Sequence, residues 1–253
     1  MKKVFLLTIL VLSCVFVSYA QKTFEPQVFR TKDGYELNCR VLEPENIRPR
    51  KKYPLVIFLH GMGERGNDNN KHLVHGSQMF LNPVNKEKYP AYVIFPQCPD
   101  DKMWAYPSYP LNLENLKEDD ITEPMKAVKE LIDAYLENPS VDPSRIYIMG
   151  LSMGGIGTYD IAARFPDLFA AAVPICGAAD NEKVKSANKV YWRIFHGDAD
   201  SVVPVNCSRN AYKALKEANA DVEYIEFPGC GHGSWNPAFN QPDFMKWLFK
   251  QKK

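Results

Sequence analysis

The chain has 253 residues, of which 45% are hydrophobic and 24% charged. That is globular composition at a length that suits one sizeable α/β domain. A formal net charge of +1 supplies no long-range field for nucleic acid or for an anionic membrane surface, so neither is expected as a partner.

Residues 1–20 read as an export signal rather than as part of the fold. Lys2 and Lys3 make a basic start, residues 4–17 are apolar, and Ser18-Tyr19-Ala20 puts small residues at positions −3 and −1 of a cleavage site before Gln21. The expectation is a periplasmic or secreted protein whose mature chain, residues 21–253, is a single domain with no membrane-spanning segment. A second reading is lipid anchoring through Cys14, because Val11-Leu12-Ser13-Cys14 loosely resembles a lipoprotein signal. Without Cys14, five cysteines remain: Cys39, Cys98, Cys176, Cys207 and Cys230. Five is odd, so at least one thiol stays free unless it pairs with another molecule, and the spacings fit no zinc pattern. Most read as small buried hydrophobes, with at most one or two bridges.

Asp33-Gly34 lies between two β-like runs over residues 24–42, which predicts a hairpin. A charged loop follows. Residues 53–59 form a continuous apolar run, the pattern of a strand covered on both faces. It ends in His60-Gly61-Met62-Gly63-Glu64-Arg65. Residues 92–95 are the next such strand, and residues 99–122 are a long connection carrying Trp104, Tyr106 and Tyr109. Helical periodicity runs over 123–137, with Thr122 as N-cap and Pro124 in the first turn. Strands are then predicted at 146–149, 168–175, 190–195 and 222–227, and helices after Ser152, at 206–219 and at 242–249. Buried strands alternating with helices predict a mostly parallel sheet wrapped on both faces, with an antiparallel hairpin at its N-terminal edge. In such sheets sites form at the carboxyl ends of strands.

Gly150-Leu151-Ser152-Met153-Gly154 joins the 146–149 strand to a helix. This is G-x-S-x-G in a strand–turn–helix context, which holds a serine hydroxyl at the tip of a tight turn. Serine is a weak nucleophile at neutral pH and needs a base, and the base needs an anchor. Histidine suits the first role and a carboxylate the second. Downstream of Ser152 the candidate bases are His196 and His232, and the candidate acids Asp180, Asp198 and Asp200. His232 is preferred because its Gly-flanked loop leaves room for a ring; His196 ends a strand and reads as structural. Asp200 is preferred because Asp198 stands where it would cap the turn. The order Ser152, Asp200, His232 matches that of α/β-hydrolases. The Met153 amide and the Met62 amide, flanked by Gly61 and Gly63, are the expected oxyanion donors.

With these motifs the chain resembles the α/β-hydrolase superfamily over its mature length. Leu59 to Asn67, Pro96-Gln97-Cys98-Pro99, Trp104, the 196–204 segment and Gly231-His232-Gly233-Ser234-Trp235 are similar to secreted bacterial esterases. That group, often called "predicted peptidases", is related to dienelactone hydrolases and phospholipase/carboxylesterases. The resemblance implies a Ser-His-Asp esterase with no metal or cofactor, acting on a small-molecule or polysaccharide-linked ester such as an acetyl or feruloyl ester. Dienelactone hydrolases proper carry a cysteine nucleophile; here the residue is Ser152. On the substrate side Trp104, Tyr106, Tyr109 and Trp235 offer aromatic faces, although packing on the core is an equally good reading for the tyrosines and packing under the His232 loop a better one for Trp235. Glu64 and Arg65 read as an ion pair holding the oxyanion loop. Two rival readings remain: a prolyl-oligopeptidase-like peptidase and a non-catalytic binding protein on the same fold. Oligomeric state is left open.

Overall fold

The computed structural model describes residues 23–106 and 120–253. The export segment 1–20, Cys14 and Tyr109 therefore lie outside the described residues. Eight strands form one sheet: β1 (Glu25–Arg30), β2 (Glu36–Leu42), β3 (Tyr53–Leu59), β4 (Tyr92–Pro96), β5 (Val141–Leu151), β6 (Ala171–Ile175), β7 (Tyr191–Gly197) and β8 (Val222–Phe227). Their order across the sheet is β1-β2-β4-β3-β5-β6-β7-β8. The first two pairings, β1 with β2 and β2 with β4, are antiparallel, and every other pairing is parallel.

The seven residues of β3 are all buried. Successive side chains leave a strand on opposite faces, and here each face meets its own core. Leu55, Ile57 and Leu59 join one cluster with residues of α3 (Glu123–Leu136), α4 (Met153–Arg164) and α5 (Asn206–Glu217). Val56 and Phe58 join another with residues of α1 (Ser77–Leu81), α6 (Trp235–Phe239) and α7 (Phe244–Lys250). Two apolar faces explain why the strand reads as unbroken hydrophobics.

The hairpin closes as predicted. Thr31 N–H donates to Tyr35 O at 2.9 Å, and Gly34 takes a φ of 89°. Helix α3 begins where its signals place it, with the Thr122 hydroxyl accepting from the Met125 amide at 3.3 Å.

Three details differ from the sequence expectation. Strand β5 starts at Val141, five residues early, while β6 starts at Ala171 because Leu168 N–H closes a turn onto Phe165 O at 3.0 Å. The 63–88 connection holds α1 and α2 (Pro83–Lys88), the latter capped by the Asn82 side chain, whose Oδ1 accepts from Val84 N–H at 3.0 Å. Helix α6 follows directly on the His232 loop. These helices have five or six residues each, too short to show a period. No described helix is long and apolar enough to cross a membrane.

Candidate active site

Ser152 sits between the last residue of β5 and the first of α4, with φ 53° and ψ −116°. Such a conformation costs a non-glycine residue about 1–3 kcal/mol and persists only where surrounding structure enforces it. The enforcement is visible. Ser152 N–H donates to Ile175 O at 2.9 Å. A Cβ on Gly150 would sit 2.4 Å from Gly154 O, and one on Gly154 would sit 1.9 Å from Leu59 O. Helix α4 thus presses against the ends of β3 and β5 closer than any side chain permits.

His232 stands between β8 and α6. Its Nε2 lies 2.8 Å from Ser152 Oγ and its Nδ1 lies 2.7 Å from Asp200 Oδ2. A carboxylate only accepts, so Nδ1–H donates to Asp200 and Nε2 is free to accept the serine proton. Trp235 meets the imidazole edge to face, with centroids 5.6 Å apart at 87°. It leans on the base rather than standing open to a ligand, and its indole nitrogen is buried. That is the packing role preferred for Trp235 from the sequence, and it sets aside the alternative of substrate binding.

Asp200 follows β7, and its side chain is fully buried. Oδ1 accepts from the Val202 and Val203 amides at 2.8 and 3.0 Å; Oδ2 faces both His232 and His196. Burial on its own would raise its pKa, but hydrogen bonds from His196, His232 and the two amides outweigh it and hold the carboxyl well below the usual range. Asp198 instead accepts from Gly229 N–H at 2.6 Å, tying down the loop before His232. Asp180 caps the turn at Glu182 and Lys183. Neither reaches His232.

Met62 opens a 3-10 turn, Met62–Glu64, and Met153 opens α4. First-turn amides have no intrahelical acceptor, and neither amide has another partner among the described residues. The Met62 loop lies against the serine: a Cβ on Gly61 would fall 3.7 Å from Ser152 Cβ. His60, which the sequence shows only as the residue following the 53–59 strand, holds this loop. Its Nδ1–H donates to Gly61 O at 2.6 Å while Nε2 accepts from Cys98 N–H at 2.9 Å. Peptide groups are planar and trans, so anchoring the Gly61 carbonyl turns the Met62 N–H the opposite way. Gln97 braces the same loop, accepting from Asn69 N at 2.7 Å and donating to Asp68 Oδ1 at 2.8 Å.

Two further expectations are corrected. Trp104 is fully buried; its indole N–H donates to His60 O at 3.1 Å and its ring packs edge-on against His60. It supports the oxyanion loop from behind and presents nothing to a ligand. Glu64 and Arg65 do not pair: the guanidinium donates to Met62 O and Lys102 O, while Glu64 Oε1 lies 3.8 Å from His75 Nε2. Tyr106 is 41% exposed at the edge of the described residues. All five described cysteines are free. One of them, Cys176, has its sulfur within 4.8 Å of ligating atoms of Asp200 and His232, and burial pushes its thiol up to about 12, so it is a neutral neighbour. A cavity of about 310 Å³ lies along α4 and residues 178–186, lined by Ile156, Tyr159, Asp160, Arg164, Ala178 and Lys183 among others; none of Ser152, Asp200 and His232 lines it.

The sheet order and the serine at its strained turn define an α/β-hydrolase. The chain belongs to the phospholipase/carboxylesterase family, whose model matches residues 43–244. It is 36% identical to a thermostable esterase of known crystal structure, with a TM-score of 0.85, over 91% of this chain and 63% of that one. It is 47% identical over 51 residues to poly(3-hydroxyalkanoate) depolymerase C of Paucimonas lemoignei, a stretch covering 20% of this chain and 12% of the depolymerase. A ferulic acid esterase from Anaeromyces mucronatus shares the fold, with a TM-score of 0.68 at 18% identity over 92% of each chain.

Proposed function

We propose that this chain is an exported serine carboxylesterase in which Ser152, His232 and Asp200 act as a catalytic triad. The observation that carries the reading is the pair of contacts through one imidazole, 2.8 Å to the Ser152 hydroxyl and 2.7 Å to the Asp200 carboxylate. Ser152 Oγ attacks the ester carbonyl carbon as its proton passes to His232 Nε2. The Met62 and Met153 amides hold the oxyanion. The bond to the alcohol oxygen breaks as His232 returns the proton to it, leaving an acyl-serine. Water then adds with His232 again as base, the acid departs and Ser152 is restored.

For the substrate the reading is an acetyl or feruloyl ester on a polysaccharide. The export signal motivates the polymer, and the resemblance to secreted esterases motivates the acyl group. With Trp104 buried, Tyr106 is the described aromatic left to flank that group.

The test is a panel of acetyl, butyryl, octanoyl and feruloyl esters, with a proline peptide as control and fluorophosphonate labelling of Ser152. Turnover of short or feruloyl esters with a single labelled serine is expected. Proline-peptide cleavage without ester turnover would favour the peptidase reading. A folded protein that neither labels nor turns over any ester would favour a binding protein. The mass of the mature protein tests export: cleavage before Gln21 is expected, and acylation at Cys14 would replace it.

A further inference from the structure

Asp200 does not serve His232 alone. Its Oδ2 lies 3.2 Å from His196 Nε2 as well as 2.7 Å from His232 Nδ1, and the Asp200 and His196 side chains are fully buried. His196 comes from the end of β7, four residues before the acid.

The hydrogen positions on His196 follow from its neighbours. Nε2 faces two groups that only accept, Asp200 Oδ2 and Val203 O at 2.9 Å. A bare nitrogen there would set lone pairs against lone pairs, so Nε2 carries the proton. Nδ1 faces Ser208 Oγ at 2.7 Å, on the first turn of α5. The hydrogen bond from that hydroxyl to Gly177 O is longer, at 3.4 Å, where a hydroxyl hydrogen bond is weak. Ser208 O–H can therefore donate to Nδ1, and the single Nε2 proton is shared between Val203 O, the closer acceptor, and Asp200 Oδ2.

The carboxylate is thus met by three full hydrogen bonds and by one longer contact from the His196 donor, which also serves Val203 O. Val202 and Val203 amides grip Oδ1, while His196 and His232 share Oδ2. Of these, only His232 changes protonation and moves charge in an acyl-transfer cycle. The other three are fixed. Without His196, the oxygen that faces His232 would have no immobile partner. The carboxylate could then rock about its Cγ bond each time His232 takes or returns a proton.

We propose that His196 is a positioning residue for ester hydrolysis: through its Nε2–H it holds Asp200 Oδ2 in line with His232 Nδ1, and Ser208 keeps its ring in the tautomer that does so. This rests on Asp200 being the triad acid. The role is separable from packing because it depends on one hydrogen-bond donor at one place. Misaligning a reacting group by about 1 Å can cost of the order of 100-fold in turnover.

The experiment compares three substitutions at 196 in the full chain, with kcat and KM on a nitrophenyl acyl ester. In His196→Gln the amide nitrogen reaches the place of Nε2 and keeps the donor; kcat within about fivefold of the parent is expected. His196→Phe keeps the ring and loses the donor; a kcat lower by about 10- to 100-fold with KM within about twofold is expected. His196→Asn places its nitrogen toward Ser208 and not Asp200, so it should behave like Phe, and it decides the matter should the Phe protein not fold. The proton NMR signal of His232 Nδ1–H should shift or broaden in Phe and Asn but not in Gln. Parental kcat in a donor-lacking variant, or an equal loss in Gln, overturns the proposal. Asp200→Asn is run alongside. If it is as active as the parent, the triad reading itself fails; if it is inactive while His196→Phe is unaffected, only the role of His196 fails.

Discussion

Gly154 lies so near Leu59 that a Cβ added to it would fall 1.9 Å from the Leu59 carbonyl oxygen. The contact is backbone against backbone, so no rotamer change relieves it. It locks α4 to the end of β3, which puts the Met153 amide and the Met62 loop on the same rim. Gly154→Ala should therefore cost about 3 kcal/mol or more, above ordinary overpacking, and lower activity in whatever fraction folds. Urea melts alongside ester turnover check this; an alanine variant as stable as the parent would contradict the contact.

The positive φ of Ser152 sets stability against function. Ser152→Ala and Ser152→Gly both remove the hydroxyl, and each should lower kcat by roughly 10⁴-fold or more. Only glycine relieves the backbone. Ser152→Gly should exceed Ser152→Ala in stability by about 1 kcal/mol, or about 2–4 °C in Tm for a chain of this size. Equal Tm values would mean the turn is not strained.

Asp198 and Asp200 are two residues apart and do different work. Asp200→Asn leaves a neutral amide against His232 and should reduce kcat by about 10⁴-fold. Asp198→Asn keeps a carbonyl oxygen that can still accept from Gly229, so less than a tenfold loss is expected. Similar losses on one ester substrate would reverse the assignment of the acid.

Acid should unfold the protein from near neutral pH. Burial holds His60 down to about 3 and His72 down to about 4, against about 6.5 in an unfolded chain. The unfolded state takes up protons first, so the stability these two histidines confer is complete above about pH 6.5. It is lost as pH falls from there toward about 4 and then 3, at up to about 1.4 kcal/mol per pH unit for each. His72→Gln should flatten that slope. Unfolding free energies that stay level between pH 7 and 4.5 would refute it.

Much of the fold was legible because its causes are local. The run at 53–59 is apolar throughout since both its faces are covered, and Asp33-Gly34 is a turn by its own chemistry. The serine turn was legible too, because two glycines and a strand–helix junction lie within a few residues. What escaped depends on contacts remote in sequence. Trp104 reads as a surface aromatic in a long loop, yet its neighbour is His60, 44 residues away. Glu64 and Arg65 suggest a pair by adjacency, but adjacent residues on a turn diverge, and each finds a partner elsewhere. His196 shows only as a strand-end histidine, since Ser208 and Asp200 meet it by way of the loop that follows.

The sulfur chemistry carries a practical consequence. None of the five described cysteines is bridged, and four are buried, three of them with thiols pushed up to about 12. Such groups are almost wholly protonated at neutral pH and exchange slowly. The domain can therefore be prepared under dithiothreitol, or in a bacterial cytosol, without waiting on an oxidative folding catalyst.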